Sequence, residues 1–258
     1  MPYLIDLDGT IYCGKNPIPQ SAGFVRWMNE KKIPYRFVTN APENHPEDIE
    51  ARLMAMGIPV QEGSVITCAM MAADCLTTQA KQKPIRKVRV LGDNYLKNLV
   101  AEKGFILDKN DPDCVIVSMD RETTVGEIQE ACCQIREGAL FIATNPDDQI
   151  PSERGMVPHT GMIVKSIADC TGVEPIMAGK PSAATKDDFP FLFGCRHEDI
   201  AVIGDRLDTD MAYGSACGYR RYLVLTGYAD RVMADAHPDE WDEVFEDLDA
   251  LMDWEEKK

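Results

Sequence analysis

The stretch "YLIDLDGTIYCG", residues Tyr3–Gly14, decides how the fold of this chain is predicted. It begins with a short apolar run, Tyr3–Ile5, and continues into two carboxylates one residue apart, Asp6 and Asp8. Like charges this close repel, so one of the two resists ionisation. The arrangement is reasonable if a cation lies between the carboxylates, or if the two have different chemical roles. The stretch therefore predicts a buried strand that ends in a functional site.

The composition is that of a globular protein. The chain has 258 residues, 45% of them hydrophobic, which suits one large domain or two modest ones. No stretch approaches the roughly 20 apolar residues of a membrane span, and the first residues predict no signal peptide. Nine scattered cysteines form no Cys-x-x-Cys pair, and four histidines show no zinc-binding spacing. We expect reduced, mostly buried thiols in a cytoplasmic protein.

The chain is strongly acidic, with a formal net charge of −16 at pH 7. This charge argues against nucleic acids and anionic membranes as partners, because both require a basic face. An anionic substrate would need a local source of positive charge at its site. Part of the acidity lies in residues 239–256, where apolar side chains recur at helical spacing. We predict one amphipathic helix with a solvated acidic face there.

Strand-like and helix-like segments alternate along the chain, which predicts an α/β fold with a parallel sheet covered on both faces. Two stretches interrupt the pattern: polar, basic Thr77–Lys87, and Gly172–Pro181 with two glycines and two prolines. We therefore predict a domain inserted at residues 81–177 into a core formed by residues 1–80 and 178–258. The predicted strands are Tyr3–Ile5, Tyr35–Val38, Val88–Leu91, Cys114–Val117, Ala139–Ala143, Ile200–Ile203 and Arg221–Leu225.

Polar side chains collect at the ends of the predicted strands, where ligands bind in doubly wound sheets. Taken alone, each is also a common feature of turns, helix starts or solvated surfaces. Taken together and in this order, they point to a single site. They are Asp6, Asp8, Thr39, Asn40, Lys180, Asp205, Asp208 and Asp210.

These residue types suit phosphate chemistry. Clustered carboxylates require a hard cation, and oxygen ligands favour Mg²⁺, which commonly binds substrate phosphate as well. The metal and Lys180 would supply positive charge, while Thr39 and Asn40 can donate hydrogen bonds to phosphate oxygens. One carboxylate can then attack phosphorus to form an aspartyl-phosphate. The other can protonate the leaving oxygen and afterwards deprotonate water.

Four motifs in this sequence, "DLDGT", "TN", "GKP" and "GDRLDTD", resemble those of the haloacid dehalogenase (HAD) superfamily of phosphatases. Length and motif order are similar to the NagD-like branch, which includes p-nitrophenyl, sugar-phosphate, nucleotide and pyridoxal phosphatases. The stretches Phe141–Asp147 and Pro151–Gly161 resemble that branch too. The resemblance implies a Rossmann-like core with a large α/β cap inserted after the second motif, and a cap surface that can form a homodimer.

The resemblance also implies a role for each matching residue. Asp6 corresponds to the nucleophile and a Mg²⁺ ligand, and Asp8 to the general acid and base, whose backbone carbonyl binds the metal. Asp208 has no matching role. The implied enzyme is a phosphomonoesterase for small phosphate esters such as sugar phosphates or nucleoside monophosphates. The remaining matches are Thr39, Asn40 and Lys180 for phosphate binding, Asp205 as a direct metal ligand and Asp210 as a supporting metal-site carboxylate.

Several positions depart from the family pattern and bear on substrate choice. They are Ala41-Pro42 after the second motif, His159 after Pro158, and Cys13, for which we expect a packing role rather than a redox role. The loop Asn145–Asp148 has two open interpretations: a substrate-selecting loop, or a proline-containing turn with solvated acids.

Other functions share this set of residues. A phosphomutase or phosphotransferase uses the same chemistry and returns the phosphate to a second hydroxyl group. A signalling receiver only accepts phosphate on an aspartate, and a phospholigand-binding protein hydrolyses nothing. Asp8 and the inserted cap argue against the receiver, and the complete set of catalytic groups argues against the inactive binder.

Overall fold

The computed structural model describes residues 1–152 and 155–258, which form two compact units. Both are α/β structures built on parallel strands, which confirms the predicted fold class. The first unit contains Met1–Thr39, Pro46–Ile66 and Lys180–Lys258, and the second contains Asn40–His45 and Thr67–Gly179.

The strands are short, as expected of elements buried in a parallel sheet. In chain order they are β1 (Tyr3–Ile5), β2 (Tyr12–Cys13), β3 (Asn16–Pro17), β4 (Tyr35–Thr39), β5 (Val65–Thr67), β6 (Lys87–Leu91), β7 (Ile106–Leu107), β8 (Cys114–Val117), β9 (Leu140–Ala143), β10 (Gln149–Ser152), β11 (Gly155–Pro158), β12 (Ile176–Met177), β13 (Ala201–Gly204), β14 (Arg220–Val224) and β15 (Glu243–Phe245).

Helices connect most of these strands. In addition, His197–Asp199 forms a 3₁₀ turn and Leu207–Met211 a π-helical turn. The α-helices are α1 (Ser21–Lys31), α2 (Pro46–Ala55), α3 (Cys68–Ala80), α4 (Asn94–Glu102), α5 (Val125–Arg136), α6 (Thr160–Thr171), α7 (Asp188–Phe193), α8 (Ala212–Cys217), α9 (Arg231–Ala236) and α10 (Leu248–Glu255).

The sheet of the first unit has the strand order β15-β14-β13-β1-β4-β5. Strand β1 pairs in parallel with β13 and β4, and Ile5 lies opposite Ile203 on one side and Phe37 on the other. All three residues of β1 are buried, as parallel strands covered on both faces require. This register brings the residues that follow β1 and β13, and the last residue of β4, to the same edge of the sheet.

Helix α1 shows how the core of this unit is covered. Its buried residues Ser21, Phe24, Val25 and Met28 recur at the spacing of one helical face. The helix ends at Lys32, whose φ of 55° is left-handed, a common way for a helix to stop. The apolar face of α1 packs in a cluster with residues of β1, β4, α2 and α10.

The acidic tail is not one helix, so that prediction is wrong in its first half. Val244 and Phe245, which fit a helical period, lie in β15 and pair in parallel with β14. Phe245 packs edge-on against Tyr222 and Trp254. Only α10 is helical, and its N-cap is Asp247, whose carboxylate accepts the Ala250 N–H at 2.9 Å. Pairing with a distant strand outweighs the local period here.

The second unit has a five-stranded parallel sheet in the order β12-β9-β8-β6-β7. Helices α5 and α6 cover an apolar core that includes Val115, Phe141 and Ile167. Strands β10 and β11 form a separate antiparallel pair. Of the stretch 151–161 that resembles the NagD-like branch, residues 153 and 154 lie outside the described residues.

The boundary between the units differs from the expected one on the N-terminal side. The division falls after Ile66 rather than after residue 80, and Asn40–His45 also belongs to the second unit. Helix α3 explains the difference, because it contacts α4 and β9 of the second unit. On the C-terminal side the division falls between Gly179 and Lys180, close to the expected boundary.

Five of the nine cysteines are buried, as expected. Cys13 is exposed on β2, so the expected packing role is wrong for this residue.

Across the described ranges of the chain, no helix combines the length and the apolar character needed to cross a membrane.

Candidate active site

Three predicted carboxylates meet at the sheet edge of the first unit. The Asp6 N–H donates to the Ile203 carbonyl at 2.8 Å, which extends the β1–β13 pairing by one residue. Asp205 follows β13, and Asp210 lies in the π-helical turn after it. Carboxylate oxygens of Asp6, Asp205 and Asp210 all lie within 4.8 Å of one another. The structure thus brings together side chains about 200 residues apart in sequence.

Lys180, the first residue of the segment Lys180–Lys258 of the first unit, also belongs to this cluster. Its Nζ donates to Asp6 Oδ1 at 2.5 Å and to Asp210 Oδ1 at 2.6 Å. The Lys180 side chain is only 4% exposed and that of Asp210 only 1%. One ammonium therefore bridges two carboxylates in a site largely closed to water, where their attraction is strong.

Burial and charge shift the titration of the bridged groups. Burial raises the pKa of Asp6 well above its usual range, and although the Lys180 ammonium lowers it, the Asp210 and Asp205 carboxylates add to the increase. Burial alone would lower the pKa of Lys180, but Asp210 and Asp6 outweigh it, so the pKa of the lysine is raised. The lysine therefore stays charged, while the carboxylates experience an excess of negative charge.

The two oxygens of Asp205 have different surroundings. Oδ2 accepts the Tyr228 N–H at 2.6 Å, whereas Oδ1 is buried and has no hydrogen-bond partner within the described part of the chain. Burial, followed by repulsion from Asp210, raises the pKa of Asp205 to about 6. A buried carboxylate oxygen without a donor, beside two further carboxylates, is a donor set of the kind that a hard divalent cation requires. These residues fit the expected Mg²⁺.

Asp8 and Thr39 lie at the same end of the sheet. Asp8 is exposed, and its Oδ1 is 3.4 Å from the Gly14 N–H. It stands in a turn that Gly9, with a φ of 91°, makes possible, because that conformation is left-handed. The Asp8 carboxylate is outside the three-carboxylate cluster, and its exposure leaves it accessible to solvent and ligands. Thr39 is the last residue of β4 and is 8% exposed.

Asn40 starts the second unit, and its side chain has a hydrogen-bond partner there. Its amide Nδ2 donates to Asp147 Oδ2 at 3.1 Å. The Asn145 amide donates to the same oxygen at 2.8 Å, and Asn145 itself is fully buried. The loop Asn145–Asp148 is therefore hydrogen-bonded within the second unit, with Asp148 exposed at its end, and its role in substrate selection stays a prediction.

His159 is accommodated as a buried residue of the second unit, 4% exposed. Its Nδ1 lies 3.4 Å from the Asn145 amide nitrogen, and its Nε2 lies 3.9 Å from a Glu43 carboxylate oxygen. Burial lowers the pKa of His159, although Glu43 and Asp147 oppose this effect. This departure from the family pattern thus adds an imidazole that is mainly neutral at pH 7.

Sequence reasoning missed the segment 226–229, which follows β14. The Thr226 hydroxyl donates to the Gly9 carbonyl at 2.7 Å, and the Tyr228 N–H donates to Asp205. The segment "TGYA" has no charged residue, and its two bonds to Asp205 come from backbone N–H groups, which no side-chain pattern reveals. Its position at the carboxyl end of a predicted strand was the available signal.

Two family models match the sequence: haloacid dehalogenase-like hydrolase over residues 3–106, and HAD-hydrolase-like over residues 177–251. The sequence is also similar to 5′-nucleotidase YutF of Bacillus subtilis (strain 168), with 33% identity over 252 residues. That alignment covers 98% of this chain and 96% of the relative. The chain belongs to the haloacid dehalogenase-like hydrolase family.

Solved structures agree with this assignment. NagD from Escherichia coli K-12 has a TM-score of 0.88 and 27% identity, with 96% of each chain covered. Glycerol phosphate phosphatase from Mycobacterium tuberculosis, solved in complex with magnesium, has a TM-score of 0.87 and 31% identity, covering 97% of this chain and 76% of that one. The predicted membership of the NagD-like branch is confirmed. This HAD-like protein is a hydrolase that acts on phosphoric monoester bonds.

Proposed function

We propose that this HAD-like hydrolase is a Mg²⁺-dependent phosphatase of small phosphate esters, acting through an aspartyl-phosphate on Asp6. The observation that carries the proposal is the bridge from Lys180 Nζ to Asp6 and Asp210, beside Asp205. A lone cluster of three acids would repel a phosphate monoester. The buried ammonium, together with a divalent cation, reverses the sign of the local charge.

Asp6, Asp205 and the Asp8 carbonyl are the proposed metal ligands, with Asp210 in support. When bound, the metal neutralises negative charge on the carboxylates and on the phosphate. Two observations support this assignment: the carboxylates of Asp205 and Asp210 are buried, and Asp205 Oδ1 has no hydrogen-bond partner in the part of the chain that the structure describes. The magnesium in the related glycerol phosphate phosphatase structure is consistent with it.

The proposed reaction has two chemical steps. In the first, an Asp6 carboxylate oxygen attacks phosphorus, the bond from phosphorus to the ester oxygen breaks, and Asp8 donates a proton to that oxygen. In the second, Asp8 takes a proton from water as the water oxygen attacks the phosphorus of the aspartyl-phosphate. Inorganic phosphate leaves and Asp6 is regenerated.

Lys180, Thr39 and Asn40 are proposed to hold the phosphate oxygens during both steps. Lys180 contributes a charge, and the two neighbouring residues contribute hydroxyl and amide donors. Thr39 is the last residue of β4, which pairs with the strand that precedes Asp6. Strand pairing thus supports a phosphate position for Thr39, while for Asn40 the support is the motif alone.

The proposed substrates are small phosphate esters such as nucleoside monophosphates and sugar phosphates. The names of relatives support this range, since they include a 5′-nucleotidase and a glycerol phosphate phosphatase. Nine scattered cysteines without a Cys-x-x-Cys pair support a reducing, cytoplasmic location. Release of inorganic phosphate from a panel of such esters, at fixed Mg²⁺, tests the range. Failure on every ester by folded protein would contradict the proposal.

Metal removal is expected to abolish turnover of p-nitrophenyl phosphate. Without a cation, three carboxylates face the incoming ester, so the rate should fall by at least about 100-fold. The measurement is p-nitrophenol release after dialysis against chelator, followed by readdition of Mg²⁺. Circular dichroism before and after dialysis serves as the control for folding. Full activity of the folded protein in excess chelator would contradict a metal requirement.

A further inference from the structure

The loop Thr226–Ala229, called the β14 loop below, holds Asp205 from two directions. The Tyr228 N–H donates to Asp205 Oδ2 at 2.6 Å, and the Ala229 N–H donates to the Asp205 carbonyl at 3.0 Å. The side chain and the backbone carbonyl of Asp205 thus both accept hydrogen bonds from the β14 loop. Both bonds come from backbone groups, so they depend on the path of the loop rather than on a particular donor side chain.

The β14 loop also holds the turn that follows β1. The Thr226 hydroxyl donates to the Gly9 carbonyl at 2.7 Å. Gly9 directly follows Asp8, and its own N–H donates to the Tyr12 carbonyl at 2.7 Å. The β14 loop therefore contacts both Asp205, which directly follows β13, and the turn after β1 that contains Asp8.

Two glycines leave the space that the Asp205 carboxylate occupies. A Cβ atom on Gly227 would lie 2.6 Å from Gly9 Cα and would overlap Asp205 Oδ2 even more closely. A Cβ atom on Gly9 would overlap the same oxygen. Gly227 is not among the glycines with a positive φ, so a left-handed backbone is not what requires glycine there. The requirement for glycine at 227 is space for the Asp205 carboxylate and for the Gly9 backbone.

These contacts distinguish the two oxygens of Asp205. Oδ2 lies between the glycines and accepts the Tyr228 N–H, whereas the buried Oδ1 has no hydrogen-bond partner among residues 1–152 and 155–258. A carboxylate held by one oxygen cannot rotate freely, so the other oxygen has a defined direction. A metal ligand that is oriented before binding loses less entropy when the metal arrives.

We propose that Gly227 and Thr226 are positioning residues that hold Asp205 with Oδ1 presented to the divalent cation. Gly227 acts by leaving room for the carboxylate, and Thr226 acts by fixing the β14 loop against Gly9. This inference rests on the proposed function, since it assumes Mg²⁺ at Asp205. It assigns a role to a segment that carries none of the four motifs.

Gly227→Ala is the direct test. We expect the Kd for Mg²⁺, measured by titration calorimetry on metal-free protein, to rise on the order of 10- to 100-fold, as for other groups that orient a metal ligand. At saturating Mg²⁺, kcat for p-nitrophenyl phosphate should recover most of its wild-type value. Gly23→Ala is the matched control, because a Cβ atom at Gly23 in α1 would meet nothing within 4 Å. Its Kd should equal that of the wild type.

A pair of Thr226 variants provides a second test. Thr226→Ser keeps the hydroxyl donor to Gly9, and Thr226→Val replaces it with a methyl group of similar size. We expect the serine variant to bind Mg²⁺ like the wild type and the valine variant to bind it several-fold more weakly. Should Gly227→Ala fail to fold, as judged by circular dichroism, this pair decides the proposal.

The possible outcomes separate this inference from the proposed function. Absence of calorimetric Mg²⁺ binding by the wild-type protein would contradict the metal itself, and with it both proposals. A wild type that binds Mg²⁺ and a folded Gly227→Ala variant with the same Kd would overturn the positioning role of Gly227 alone. Equal Kd values for the valine and serine variants would remove Thr226 from the proposal.

Discussion

Asp6→Asn is expected to lower kcat for p-nitrophenyl phosphate by at least about 10⁴-fold, the scale seen when a catalytic nucleophile is removed. An asparagine amide has nearly the same shape as the carboxylate but cannot form the aspartyl-phosphate. The measurement is p-nitrophenol release at saturating substrate and Mg²⁺.

The structure indicates that this variant folds. Burial and two neighbouring carboxylates already raise the pKa of Asp6, so a neutral side chain relieves repulsion from Asp205 and Asp210. Lys180 keeps its bond to Asp210 at 2.6 Å. A thermal melt close to that of the wild type would therefore accompany the loss of activity.

Asp208→Asn is the matched control for this prediction. Asp208 is an exposed aspartate on the same side of the fold, and the Arg206 guanidinium pairs with it at 2.6 Å. It has no assigned role in the reaction, so its variant should retain near wild-type turnover. Equal activity in the Asp6 and Asp208 variants would remove Asp6 as the nucleophile.

Lys180→Met should be the most destabilising of these substitutions in metal-free protein. It removes the ammonium from between Asp6 and Asp210 and leaves three carboxylates within 4.8 Å of one another. Breaking a buried ion pair from one side costs about 3–5 kcal/mol of unfolding free energy. Methionine is of similar length and apolar, so the lost free energy reports on charge rather than on a cavity.

Mg²⁺ should restore part of the unfolding free energy that Lys180→Met loses. The gain on adding Mg²⁺ should be larger for the variant than for the wild type. In the variant, Mg²⁺ binds to carboxylates whose negative charge is no longer balanced by the Lys180 ammonium. Activity should remain on the order of 10²- to 10³-fold below wild type even with the metal bound, because the phosphate loses a charged donor. Urea unfolding with and without Mg²⁺, together with p-nitrophenol release, measures both effects.

Lys186→Met is the control, since Lys186 is an exposed lysine six residues further along the chain. Its stability and its response to Mg²⁺ should match those of the wild type. If Lys180→Met and Lys186→Met unfolded at the same urea concentration, the buried bridge would not contribute to stability as inferred.

Buried strands were the most predictable elements of the fold. Strands β1 and β8 have the bounds that the sequence predicts, Tyr3–Ile5 and Cys114–Val117. Both are short apolar runs followed directly by polar residues, and the information lies within the run itself. Helix α5 also begins at a local signal, because Thr124 and Glu127 form a capping box at its start.

Elements that depend on distant partners were not predictable in this way. Strand β15 forms because Val244 and Phe245 pair with the edge of β14, although the spacing of these apolar residues also fits a helix. Helix α3 belongs to the second unit because of its contacts with α4 and β9, and no change in composition marks Ile66 as the boundary. In both cases the deciding free energy comes from packing rather than from local preference.

The sequence by itself determined the chemistry: which carboxylates, which lysine and which donors stand at strand ends, and the family to which they belong. Only the tertiary structure decided which atoms meet. Lys180 and Asp6 are 174 positions apart, but their side-chain atoms lie 2.5 Å apart. Asp205 Oδ2 is held by a loop without charged residues, while Oδ1 has no hydrogen-bond partner among the described residues. The physical reason is that parallel strand pairing brings strand ends to one edge. Hydrogen-bond partners within that edge depend on ångström-scale distances that residue order does not encode.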